Sequence, residues 1–135
     1  MPPSTASNFS PGFRLSMFDL AILAAGVCAT IAISRFDVWL GIAVAFVVAH
    51  FFLFCNLLRL SRTPELIWAG IFAALAIAAS IPVIDSWPAA LGISVALTVV
   101  LAIVEFRRPS YHGVAWRWIN PQLPAWWSAH TGGGA

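Results

Sequence analysis

Chemistry in this chain would have to come from few side chains: His50, the carboxylates Asp19, Glu65 and Glu105, the thiols of Cys28 and Cys55, and the amide of Asn56. His50 stands out. It lies midway along the apolar run Val38 to Leu60 and is the only acidic, basic or histidine side chain near the middle of such a run. A charged imidazolium would be costly there, so the ring should be neutral. Such a histidine could be an axial ligand for a haem or a chlorophyll-type pigment, a quinone contact, or a proton relay. It could equally be a buried structural residue bonded to a hydroxyl or a backbone carbonyl, and this role is the favoured one. A bis-histidine haem within one chain would need a second intramembrane histidine, but His112 and His130 both follow the last apolar run. Phe46, His50 and Phe54 are spaced by four and share one helical stripe. That stripe could face lipid, a neighbouring subunit or a flat pigment. Cys28, Thr30, Ser94 and Thr98 fall at similar depth.

Asn56 and Thr98 are read as polar groups that bridge helices. Glu65 and Glu105 fall at run boundaries beside Arg59, Arg62, Arg107 and Arg108, the place for an interfacial ion-pair network; the arginines could also hold anionic lipid headgroups. Asp19 is a helix-start residue. The cysteines form no CxxC pair and have no histidine at zinc spacing. At about 1.5 Å rise per residue their depths differ by roughly 7 Å, already near the limit of about 7 Å between the Cα atoms of a disulfide. Quinone-linked thiol oxidation is therefore disfavoured, and no catalytic or metal constellation is assigned.

The elements that must position these residues follow from composition. The 135 residues are 61% hydrophobic and 9% charged. A soluble fold this small could not bury so much apolar surface. The mean hydropathy of +0.90 points to lipid as the solvent. The reading is an all-α integral membrane bundle of four transmembrane helices with short connections, at about 18–34, 38–60, 66–84 and 87–106. Residues 1–15 form an irregular tail, 16–106 the transmembrane domain, and 107–135 a tryptophan-rich tail on the membrane surface. Ser16 with Asp19 has capping-box spacing. Asp37 should cap the second helix, and Thr63-Pro64-Glu65 should start the third. Pro82 falls near the end of the third run.

Charge gives orientation. Arg14, Arg59, Arg62, Arg107, Arg108 and Arg117 share one side, against Arg35 alone on the other. Under the positive-inside rule both termini are cytoplasmic. Arginine without lysine, with abundant alanine, fits a bacterial inner membrane. A net charge of +2, so dispersed, excludes a nucleic-acid surface. Trp39, Trp68 and Trp87 are read as an interfacial belt. Trp116, Trp118, Trp126 and Trp127 should rest on the membrane or under a partner protein. Small-residue stripes are expected to carry helix packing: Ala24, Cys28 and Ala32; Gly41, Ala45 and Ala49; Gly70, Ala74 and Ala78; Gly92 and Ala96.

The function expected is that of a non-catalytic accessory or scaffold subunit of a larger membrane complex, with lipids and other subunits, or further copies of itself, as partners and no cofactor. The alternatives are a pigment-, haem- or quinone-associated subunit using His50, and a small oligomeric transporter. Four spans in this length resemble small multidrug carriers in architecture only. The embedded first-helix glutamate such carriers use is missing here, where that helix holds only Asp19 at its edge.

Overall fold

The computed structural model describes residues 9–82 and 86–131. About 75% of the protein is helical, and no strand occurs among the described residues. Four helical segments are long and apolar enough to cross a membrane: α1 Met17–Ser34, Val38–Leu58, α3 Arg62–Ala79 and α4 Trp87–Phe106. The second begins as an α-helix, α2 (Val38–Phe52), and continues as a π-turn over Leu53–Leu58. Two short helices follow in the tail, α5 (Trp116–Ile119) and α6 (Leu123–Thr131).

Local chemistry sets the helix ends. Ser16 accepts the Asp19 backbone N–H on its hydroxyl, and the Asp19 carboxylate accepts the Ser16 N–H in return, a complete capping box. Asp37 caps α2 by accepting from the Leu40 N–H at 3.0 Å. The third helix starts earlier than its sequence suggests. Its N-cap is Ser61, not Thr63, and Pro64 sits inside the first turn. The first four N–H groups of a helix lack intrahelical acceptors, so proline fits there as well as at the first position. The helix also stops early, at Ala79. Pro82 disfavours helical geometry in the residue before it and cannot donate a continuing bond. Residues 83–84, the end of the expected third span, lie outside the described residues, as do 1–8 and 132–135 of the tails.

The four segments pair as two hairpins. In the first, α1 and α2 approach closely. A Cβ on Gly26 would meet the Val48 methyls at 2.5 Å and 2.9 Å, and one on Gly41 would fall on the Ser34 side chain. In the second, α3 and α4 meet through Trp68, Phe72 and Ala79 on one side and Trp87, Ala90, Ser94 and Thr98 on the other, all buried. Between the hairpins lies a layer of large rings, with Phe46, His50 and Phe54 of the second segment against Trp68 and Phe72 of α3.

The small-residue stripes are mostly not the packing faces. Ala24, Cys28, Ala32, Gly70, Ala74, Gly92 and Ala96 are all exposed, and nothing lies within 4 Å of a Cβ built on Gly70 or Gly92. On α4 the inward face is Ala90, Ser94 and Thr98, offset by two to four residues from Gly92 and Ala96. The physical reason is Trp68. Its indole needs a shallow surface that also offers hydrogen-bond acceptors, and only the hydroxyl-bearing face of α4 supplies both.

Starts of α1 and α3 and ends of the second segment and α4 gather at one end of the bundle, which carries most of the arginines. There the tail folds back. Val114 N–H donates to Leu57 O at 2.8 Å and Gly12 N–H to His112 O at 2.8 Å. Gly113 permits this, since a Cβ there would meet Leu58 O at 2.5 Å and Leu57 O at 2.8 Å. Tyr111 and Leu123 are fully buried in this tail.

Candidate functional site

His50 belongs to the ring layer. The helix carries Phe46, His50 and Phe54 on one side, and all three pack against Trp68. The imidazole stacks on Trp68, 4.5 Å between centroids and 15° between planes. Phe46 covers it at 4.1 Å and Phe54 meets it edge-on at 5.6 Å. Its Nδ1 lies 2.8 Å from Phe46 O, one turn back on the same helix. At 8% exposure the ring is a core residue with its own helix as partner. Beyond Phe72, toward the opposite end of the bundle, a largely apolar groove of about 470 Å³ opens between the hairpins, lined by Ala43, Val47, Phe72, Ala76 and Trp87 among others, with Ser80 the one polar residue. His50 does not line it.

Trp68, read from sequence as a belt residue, is the pivot of this layer at 3% exposure. It sits far enough into α3 to face α4, and its Nε1–H donates to Thr98 Oγ1 at 2.9 Å and Ser94 O at 3.2 Å. Thr98 in turn donates to Ser94 O at 2.8 Å. Thr98 thus links α3 to α4 through an indole. Trp87 is buried too, stacked on Trp39 at 6.4 Å and 2° between the starts of α2 and α4. The signal for both was present in the sequence as four-residue spacings, Trp68 to Phe72 and Trp87 to Leu91.

The second cluster is polar and lies at the arginine-rich end. A pocket of about 230 Å³ is lined by Arg14, Ser16, Asp19, Cys55, Asn56 and Arg59. The π-turn creates it by shifting the helix register, so that Asn56 points at the start of α1. Asn56 is 2% exposed. With its amide oriented so that nitrogen faces acceptors, Nδ2 donates to Asp19 Oδ2 at 3.0 Å and to Arg14 O at 2.5 Å. Asn56 therefore ties the end of the second segment to the start of the first. Cys55 donates through sulfur to Glu65 Oε1 at 3.7 Å, and Cys28 is exposed on α1. Arg59 ends the π-turn in a left-handed conformation, φ 49°, and its Nη1 donates to Ser10 O at 2.6 Å. Burial first, then the Arg14 charge beside it, holds the Arg59 guanidinium below its usual pKa.

At the end of α4, Glu105 is 5% exposed. Arg108 pairs with its Oε2 at 3.5 Å and reaches Ser61 Oγ at 3.0 Å, so one arginine joins α4 to the cap of α3. Oε2 accepts no hydrogen bond of its own. Arg62 and Arg107 are exposed. Tyr111 donates to Val114 O at 2.8 Å, and burial, then the Glu105 charge, raises its pKa. In the tail, Phe9 meets Trp116 and Trp127 edge-on at 5.8 Å and 5.5 Å, Trp126 stacks on His130 at 4.3 Å, and Arg117 lies over the Trp116 ring at 5.6 Å. Trp118 is 91% exposed. No group of three or more histidine, cysteine or acidic residues that could hold a metal ion occurs among the described residues. No protein-family model, curated protein or solved structure matches this chain.

Proposed function

We propose that this is an integral protein of a bacterial inner membrane, with both termini cytoplasmic, serving as a non-catalytic accessory or scaffold subunit of a larger membrane assembly. Four helices long and apolar enough to span, with arginine concentrated at one end, support the membrane setting and its orientation. The observation that carries the subunit role is the outward turn of three small-residue stripes, on α1, α3 and α4. Inside lipid there is no hydrophobic drive between helices, and small residues allow the close backbone contact that replaces it. Gly26 and Gly41 are used within the chain, between α1 and α2, but Ala24, Cys28 and Ala32, Gly70 and Ala74, and Gly92 and Ala96 are left exposed. They suit helices of another subunit or another copy. The polar side chains within the four long helices, by contrast, are largely committed to caps, helix-backbone bonds and stacking, as with Thr30, Ser34, His50, Ser94 and Thr98.

The test is crosslinking in native membranes with single cysteines. The natural Cys28, with Cys55→Ala, reports on the α1 stripe; Gly70→Cys and Gly92→Cys, each with Cys28→Ala and Cys55→Ala, report on the other two. Specific adducts to another membrane protein or to a second copy are expected, with co-purification in mild detergent. A monodisperse monomer without adducts at any of the three positions sinks the reading.

A further inference from the structure

We propose that the pocket between the start of α1 and the π-turn binds a phosphate-bearing anion. Three observations converge there. Arg14 and Arg59 both line the pocket, and they are close enough for the Arg14 charge to disfavour that of Arg59. Neither has a carboxylate within ion-pair distance; the one ion pair among the described residues is Arg108 with Glu105. Asp19, the acid in the pocket wall, is already held on Oδ2 by Ser16 N–H at 2.8 Å and Ser16 Oγ–H at 2.7 Å, and, with the Asn56 amide turned so that its nitrogen faces acceptors, by Asn56 Nδ2 at 3.0 Å. It serves as a cap and keeps its negative charge, which Arg14 also favours, so the lining carries two guanidinium groups against one carboxylate, a positive charge in excess.

Two like charges held together by a fold are stabilised by an anion between them. Planar guanidinium forks match the tetrahedral oxygens of phosphate. A cavity of about 230 Å³ admits such a group together with water. The backbone agrees. Arg59 occupies a left-handed conformation where glycine would be easier, and its hydrogen bond to Ser10 O fixes the guanidinium at the rim. Placement at the arginine-rich end of the helices suits the headgroup of an anionic phospholipid, and the same chemistry would take free phosphate.

Thermal unfolding of the full-length protein in dodecyl maltoside separates the two sources. One arm adds dihexanoyl phosphatidylglycerol, referenced to dihexanoyl phosphatidylcholine. The other adds inorganic phosphate, referenced to chloride at equal ionic strength. A concentration-dependent rise in midpoint in the first arm alone identifies a lipid headgroup, and a rise in both identifies the phosphate group itself. Arg14→Gln and Arg59→Gln should each weaken the response about tenfold, whereas Arg35→Gln, at the opposite end, should not. The Arg14 guanidinium makes no hydrogen bond to the described residues, so its replacement leaves the fold intact. No response above reference in either arm, or an undiminished response in Arg14→Gln, overturns the proposal.

Discussion

The His50 imidazole lies parallel to the Trp68 indole, 4.5 Å away, with its Nδ1 bonded to Phe46 O on its own helix. This is the arrangement of a packing residue. His50→Leu, similar in volume, should keep the helical content and lower stability by about 1 kcal/mol. His50→Ala, which opens a gap beside Trp68, should cost about 2 kcal/mol or more. Denaturation in mixed micelles measures both. The visible absorption spectrum of protein from the native host should be the same for wild type and His50→Leu. Loss of a band with the helices intact would instead make His50 a ligand.

Trp68 and Thr98 should be energetically coupled. Thr98→Val keeps the shape but removes the better acceptor of the indole N–H. A cost of about 1 kcal/mol is expected, in the range of interhelical hydrogen bonds measured in membranes. Trp68→Phe should cost more, since it also thins the ring layer. A double-mutant cycle should give coupling of about 0.5–1.5 kcal/mol. Additive effects would mean that the bond contributes nothing beyond packing.

The glycines divide into two classes with opposite predictions. Gly26→Ala places a methyl within 2.5 Å of Val48 and should destabilise by about 1–3 kcal/mol. Adding Val48→Ala should recover part of that loss. Gly70→Ala and Gly92→Ala meet nothing within 4 Å and should leave the isolated protein as stable as before. Larger residues at these two positions should act only on association, read as loss of co-purifying partner.

Tyr111 makes the tail sensitive to alkali. It is the single tyrosine of the chain, buried, with a raised pKa. The neutral phenol is the form the fold prefers. Its contribution is thus complete below the unfolded value of about 10 and is lost as pH rises through the folded value. Tail docking, followed by proteolysis of residues 107–135, should weaken above about pH 10. Tyr111→Phe should remove that pH dependence and, by deleting the bond to Val114 O, cost about 1 kcal/mol at neutral pH.

Much of the fold was legible because it rests on near-neighbour rules. Ser16 with Asp19 and Asp37 with Leu40 are read from spacing alone, and apolar run length gives the four long helices. What could not be read was rotation about each axis. A helix with small residues all round offers several equivalent faces, so Gly70–Ala74–Ala78 is one of several readable packing stripes, and Trp68 places the contact with α4 on the opposite side. The π-turn was equally hidden. One extra residue per turn leaves hydropathy unchanged but redirects Asn56, Cys55 and Arg59 toward Arg14, which makes the polar pocket. The docking of Gly113 onto Leu57 and Leu58 is a long-range contact with no periodic signature.

The hydrogen bond between Gly12 and His112, with Phe9 wedged against Trp116 and Trp127, brings the two tails together across the same end of the bundle. Among the described residues the chain therefore nearly closes on itself, Phe9 packing one turn from Thr131. A circular permutant, residues 9 and 131 joined by a glycine-serine linker and its new ends opened in the Arg35–Asp37 turn, would keep every helix pair and reverse only the order of synthesis. Both new ends would then emerge at the opposite end of the helices, beside Arg35, away from the polar pocket and the docked tail.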